Sequence, residues 1–261
     1  MTIPPGAALI TGATAGIGAE FARQLAARGH DLVIVARDRE RLDALATELA
    51  NEHAVRVEVL AADLLDEAQC ALVEQRLASP EHPITVLVNN AGFGLGQNFD
   101  KNPLEDEQRM VDLLVTVPLR LSHIALGVMV PRRAGTILNV SSVAAFAPLG
   151  SYSAAKAWLM TFGRWANAYY RPAGVTVTTL APGFVRTEFH ARMNISRAAL
   201  APRWMWLDVT PLVRTALKAA DRGRAVSVPS IRYRVISVIS RLLPMSIVSV
   251  AAKRGRWRNR S

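Results

Sequence analysis

Residues 7–29 read AALITGATAGIGAEFARQLAARG, and the fold is decided in this stretch. Ala7 to Thr11 is a short apolar run entered from Pro4-Pro5-Gly6. It leads directly into Thr11-Gly12-Ala13-Thr14-Ala15-Gly16-Ile17-Gly18, then into a helical pattern from Ala19 to Arg28 closed by Gly29. Strand, glycine turn, helix is the context that a dinucleotide-binding loop requires. The glycines let the backbone approach a pyrophosphate, and the start of the helix offers unpaired N–H groups and a positive dipole end. Alone, Gly-x-x-x-Gly-x-Gly also describes an ordinary tight turn; the flanking strand and helix give it its meaning.

The same alternation continues outward. Strands are expected at 31–36, 55–60, 85–88, 136–140, 175–180 and 225–228, with helices at 40–50, 66–78, 105–130, 152–170 and 210–221. Seven strands separated by helices predict an α/β fold, a doubly wound parallel sheet in one domain over residues 1–229. Residues 230–261 read as a basic amphipathic extension. A hydrophobic fraction of 51% supports a sizeable core and argues against disorder. The single cysteine, Cys70, rules out an internal disulfide and suits a reducing, cytoplasmic setting. The first dozen residues lack the basic region of a secretory signal. No window reaches the roughly 18 uninterrupted apolar residues of a membrane span.

The formal charge of +10 is unevenly placed: ten Lys/Arg and no Asp/Glu lie from Arg222 onward, leaving 21 of each sign before it. A neutral body argues against a nucleic-acid partner, and a basic tail points to a local surface role.

Chemistry-bearing residues gather at the expected strand ends. The second strand stops at Ala36-Arg37, where an acidic residue would bind the 2′-hydroxyl of NAD; a guanidinium there suits the 2′-phosphate of NADP. Arg39 and Arg41 read instead as solvated residues of the next helix. Asp63-Leu64 follows the third strand, Asn89-Asn90-Ala91-Gly92 the fourth and Ser141-Ser142 the fifth. Tyr152 and Lys156 stand four apart, one turn above each other on a helix face. A lysine ammonium beside a tyrosine is expected to favour the phenolate and lower its pKa, while Ser142 bonds a substrate oxygen. No metal-ligand cluster is present in the sequence.

The glycine loop, Asn89-Asn-Ala-Gly92, Ser142, Tyr152-x-x-x-Lys156 and Pro182-Gly183-x-x-x-Thr187 together resemble the short-chain dehydrogenase/reductases, in that family's order and over about Leu9 to Pro229. The resemblance implies a Rossmann-type fold and hydride transfer between a nicotinamide, here NADP(H), and a carbonyl or alcohol. It implies Tyr152 as general acid/base, Ser142 as the residue orienting the substrate oxygen, and Lys156 as ligand of the nicotinamide ribose. The cofactor contacts it implies are Gly12, Thr14, Ala15, Gly16, Ile17, Gly18, Arg37, Asp63, Leu64, Asn90, Ala91, Gly92, Tyr152, Lys156, Pro182, Gly183, Val185 and Thr187. Asp63 would sit by the adenine and Thr187 would bond the carboxamide.

Two departures stand out. The family's asparagine in the helix before the serine strand is replaced by Leu114, and the ten-residue step from Ser142 to Tyr152 is short for the family. Leu114 raises the rival reading of a cofactor-binding protein without catalysis; an NAD-linked alcohol dehydrogenase is a second rival. Pro118, four residues after Leu114, has no N–H to give the Leu114 carbonyl, so the helix is expected to distort there.

Three further features carry expectations. Trp158, Phe162, Trp165 and Tyr169 form a stripe turned away from Tyr152 and Lys156, with Leu159, Gly163 and Ala166 left for the sheet; this points to a homodimer or homotetramer. Phe184 to Trp206, including Phe189, Met193, Ile195, Trp204 and Met205, is an apolar lid that suits a small lipophilic carbonyl or alcohol substrate, with His190 as a lid or surface residue. From Ile231 to Leu243, Val235, Ile236, Val238, Ile239, Leu242 and Leu243 lie on one side and Arg234, Ser237 and Arg241 on the other. With the basic stretch Lys253 to Arg260, this reads either as an interfacial membrane anchor or as a helix docked on the body or a subunit.

Overall fold

The computed structural model describes residues 6–189 and 201–242. Strand β1 (Ala7–Thr11) is buried along its whole length. Its side chains alternate, Ala8 and Ile10 into one core layer and Ala7 and Leu9 into the other, as the two-residue period of a strand dictates. Burial on both faces is why the strands read as unbroken apolar runs. With β2 (Asp31–Ala36), β3 (Val57–Ala61), β4 (Ile84–Asn89), β5 (Gly135–Val140), β6 (Val175–Leu180) and β7 (Val226–Ser227), β1 forms a sheet ordered β3-β2-β1-β4-β5-β6-β7. Every pairing is parallel. The expected seven-stranded doubly wound sheet is thus present.

Helices cover both faces. On one, Phe21 and Leu25 of α1 (Gly16–Ala26), Leu42 and Leu49 of α2 (Arg39–His53), and Leu212, Val213 and Leu217 of a later helix at 209–221 share a layer. On the other lie Cys70 and Val73 of α3 (Glu67–Ala78), with Leu121, Ala125 and Met129 from a long helix that follows β4. That helix runs from Leu104 to Arg132 as α4 (Leu104–Val111), a π turn (Asp112–Thr116) and α5 (Val117–Arg132). It is long and apolar enough to cross a bilayer, but its inward side chains are buried in the sheet's own core. Among the described residues the remaining α-helices are α6 (Ser151–Tyr170), α7 (Val209–Asp221) and α8 (Ile231–Leu242).

Two boundaries differ from expectation for identifiable reasons. β3 starts at Val57 because Ala54 ends α2 in the left-handed region, φ 53°, and Asp31 Oδ1 accepts the Arg56 N–H at 2.9 Å. The distortion near Pro118 is a widened turn and not a break: the Val117 N–H reaches back five residues to the Asp112 carbonyl. The order of strands reverses between β1 and β4, and ligands of such sheets bind at the carboxyl ends flanking that point.

Candidate active site

The loop after β1 is held rigidly. Thr11 Oγ1 accepts the N–H groups of Asn90 and Ala91 at 2.9 and 3.0 Å, and Asn90 Nδ2 donates to the Thr11 and Gly12 carbonyls at 2.9 and 3.1 Å. Asn90 and Ala91 therefore tie β4 to the glycine loop across the switch point. A Cβ on Gly18 would lie 2.2 Å from the Gly12 carbonyl oxygen, so no other residue fits. Gly12 and Gly16 sit at φ 67° and 56°, where glycine carries no steric cost. Thr14 and Ala15 form the loop's rim, and Ile17 packs onto the core layer containing α7.

A contrast among helix starts is informative. Asp38 caps α2 and Asp66 caps α3 through their side chains. The cap position of α1 is Ala15, with no side-chain bond and no acidic residue in the first turn. Its leading N–H groups and dipole are left for an anion, which fits a pyrophosphate.

At the tip of β2, the Arg37 side chain is 71% exposed and lies 4.0 Å from the Asp63 carboxylate. Asp63 Oδ1 accepts the Leu65 N–H at 3.0 Å, and Leu64 is buried beneath. Arg39 instead pairs with Asp43, and Arg41 with Asp38 and Glu188.

Ser142 follows β5 and caps a short 3-10 turn (Val143–Phe146), its Oγ accepting the Ala144 N–H at 3.1 Å. Gly150 then turns the chain at φ 104°, so α6 starts at once and Tyr152 falls in its first turn. Ser142 stands beside the Tyr152 hydroxyl and acts to lower its pKa. Lys156, a turn further, donates from Nζ to the Val140 carbonyl at 2.8 Å, and Nζ lies 5.7 Å from the Tyr152 ring centre. α6 packs closely on β6, where a Cβ on Gly163 would come within 2.0 Å of Thr179 Oγ1.

Burial, not the neighbouring ammonium, dominates the electrostatics. It pushes the Tyr152 hydroxyl up to about 12, against the opposing effect of Ser142, and pulls Lys156 down to about 8. The expectation of a lowered Tyr152 pKa is therefore corrected: loss of solvation raises it. Leu114 is buried beside this group. A Cβ on Gly92 would lie 2.7 Å from its Cδ2 and 3.9 Å from Lys156 Nζ. Leu114 thus stands where the resemblance puts it, with no polar side-chain atom to offer.

The loop after β6 closes the site. The Val143 N–H bonds the Pro182 carbonyl at 2.9 Å, and Val185 is buried and bridges to Leu207. Thr187 Cγ2 lies 2.8 Å from where a Cβ on Gly16 would stand, bringing that loop against the glycine turn. Phe189 of the expected lid stands 6.2 Å from the Tyr152 ring, and Phe184 packs on Trp206 at 5.4 Å. His190, Met193 and Ile195 lie outside the described residues.

Sequence reasoning missed one wall of the cleft. It is made by Leu95, Phe99, Met110 and Leu149, with Gln97, Asn102 and Glu107 at its polar edge. Glu107 is buried, accepting from Asn102 Nδ2 at 2.7 Å and from the Ser151 hydroxyl next to Tyr152. The available signal was the spacing of Glu107 and Met110, three apart on the inward face of α4.

The aromatic stripe of α6 is a stacked row: Trp158–Phe162, Phe162–Trp165 and Trp165–Tyr169 have ring centres 5.2, 5.8 and 5.7 Å apart. Trp165 and Tyr169 are exposed, while Leu159, Gly163 and Ala166 are buried against the sheet as expected.

A glycine loop at the switch point of a parallel sheet, beside a half-buried serine and tyrosine and a buried lysine, is the architecture of a Rossmann-type oxidoreductase. The chain belongs to the short chain dehydrogenase family, whose family model matches residues 6–198. It is 37% identical to a short-chain dehydrogenase from Sphingobium yanoikuyae solved in complex with NADPH, with a TM-score of 0.83 over 91% of this chain and 94% of that one. The bulky-bulky ketone specific alcohol dehydrogenase from Comamonas testosteroni superposes with a TM-score of 0.78 at 34% identity, over 90% of this chain and 92% of the other. The 17-beta-hydroxysteroid dehydrogenase type 3 of Rattus norvegicus is 30% identical over 245 residues, 92% of this chain and 77% of that protein.

Proposed function

We propose that the protein is an NADP(H)-dependent reductase of a bulky, apolar carbonyl compound, with Tyr152 as proton donor. The observation carrying this reading is that Tyr152, with Ser142 and Lys156 beside it, lines a cleft shared with Leu95, Phe99, Met110 and Leu149. The uncapped start of α1 and its glycines fit a pyrophosphate, and the exposed guanidinium of Arg37 fits a 2′-phosphate. The NADPH held by the Sphingobium relative and the bulky ketones named for the Comamonas enzyme support the same choice. When bound, the nicotinamide supplies the hydride taken up by the carbonyl carbon.

The chain's own part is positioning and proton supply. Ser142 donates a hydrogen bond to the substrate oxygen beside the Tyr152 hydroxyl. A phenol with a pKa of about 12 keeps its proton at neutral pH. An alcohol lies near the ~16 of water, so proton transfer from Tyr152 to the new alkoxide runs downhill. Alcohol oxidation would use the same group in reverse, with the phenolate taking up the alcohol's proton. Lys156, charged at pH 7, stabilises the phenolate left after transfer. The row Trp158–Tyr169 serves as the contact of a homodimer or homotetramer.

The test follows loss of NADPH absorbance across a panel running from bulky aryl and alicyclic ketones to small keto acids. The reading expects turnover of the bulky apolar members. NADPH binding with no turnover of any member would favour the rival raised by Leu114, a binding protein without catalysis.

A further inference from the structure

Helix α8 meets the body with its polar side. Tyr233 and Ser237, a turn apart, are 2% and 3% exposed, and Ser240 continues the row half-buried. The Tyr233 hydroxyl accepts the Phe184 N–H at 3.1 Å and donates to the Met205 carbonyl at 2.8 Å. Its ring lies where a Cβ on Gly183 would stand. Ser237, read from the sequence as lying opposite the aliphatic side with Arg234, is on the docked side, where the tyrosine's two backbone partners hold that face inward.

The aliphatic face is consequently directed at solvent. Ile231, Val235, Val238 and Ile239 are 48–75% exposed. A helix on the surface of a soluble body normally buries such a stripe. At 100° per residue, Arg232 and Arg234 fall on its two borders, and both are exposed. The Arg232 guanidinium lies 5.8 Å from the ring centre of Trp204, itself exposed. Nineteen residues follow position 242, carrying five Lys/Arg and Trp257 but no acid.

We infer that the outer face of α8 is a docking surface for anionic lipid. An aliphatic stripe bordered by arginines, with an aromatic ring beside it, is the make-up of a helix lying in a bilayer interface. Charge selects lipid over a second copy of this chain. From Arg222 on there are ten cations and no anion, so a symmetric contact through α8 would set like charges together. A leaflet of anionic headgroups complements them. α8 also packs on the 3-10 turn that follows Ser142, so docking brings the proposed site to the phase where apolar ketones collect.

The experiment floats the full chain with vesicles of phosphatidylcholine alone and of phosphatidylcholine mixed with phosphatidylglycerol, at low and high salt. The expected result is flotation with the anionic vesicles only, weakened by salt. Replacing exposed aliphatic area with V235S/V238S should reduce partitioning roughly tenfold, and Arg234→Gln about fivefold. Thermal stability and NADPH-dependent turnover of a water-soluble ketone should be unchanged, since neither valine touches the cleft. Failure to float, equal flotation with neutral vesicles, or flotation untouched by V235S/V238S would each overturn the inference. So would a self-association that V235S/V238S abolishes in place of vesicle binding.

Discussion

Removing the Arg37 guanidinium tests cofactor selection with little risk to the fold. Its head is 71% exposed, and its nearest anion, Asp63, is 4.0 Å away, too far for a hydrogen bond. An exposed ion pair of that kind contributes at most ~1 kcal/mol, so Arg37→Ala should leave the unfolding midpoint almost unchanged. A charge-assisted hydrogen bond to a phosphate contributes roughly 1.5–3 kcal/mol. Exposure favours the lower end, which gives about a tenfold loss of NADPH affinity. NADH lacks the 2′-phosphate and should bind Arg37→Ala as it binds the wild type. The NADPH effect should shrink at high salt, since the Debye length falls from about 10 Å at 0.1 M to about 3 Å at 1 M. Arg39→Ala is the control, because Arg39 is paired with Asp43 at 3.3 Å. Calorimetric titration of both cofactors into the three proteins gives the answer. Equal losses for NADPH and NADH, or no loss for either, would refute the reasoning.

Three further outcomes follow from the same geometry. Pro118→Ala returns a backbone N–H to the helix just after the widened turn; single-turnover kinetics should show slower turnover at near-normal NADPH affinity, and an unchanged rate would remove any role for the distortion at 112–116. The folded-state pKa of Lys156, about 8, lies below its ordinary 10.5, so the native state sheds this proton first and wild-type stability should climb between those values. The climb is roughly 3 kcal/mol relative to Lys156→Met, read by urea unfolding without cofactor at pH 7 and pH 10; parallel pH dependence of the two proteins would contradict it. Tyr152, shifted upward, works in the opposite sense only above pH 10. Finally, Trp165→Arg should lower the sedimenting mass of a multimeric wild type, and no change would exclude the α6 row as its contact.

The sheet and the glycine loop were legible because their causes are local. Strands buried on both faces show as apolar runs, and a turn in which a Cβ on Gly18 would stand 2.2 Å from the Gly12 carbonyl oxygen admits only glycine. Ser142, Tyr152 and Lys156 were legible through the resemblance and the one-turn spacing. The cleft wall was not, since Leu95 comes from an irregular segment and Phe99 from a three-residue 3-10 turn, too short for a periodicity to read. The direction of the Tyr152 shift was missed because it depends on how much water the assembled core excludes. The orientation of α8 was hidden for a related reason: Phe184 and Met205, distant in sequence, decide which face of the helix is inward.

The most direct test of the account is NADPH-dependent reduction of a bulky apolar ketone by wild type and by Tyr152→Phe, measured together with NADPH affinity. Phenylalanine keeps the half-buried ring and removes only the proton donor. The account predicts a fall in turnover of at least about a hundredfold, with NADPH binding changed little. A Tyr152→Phe protein that reduces the ketone at the wild-type rate would contradict it.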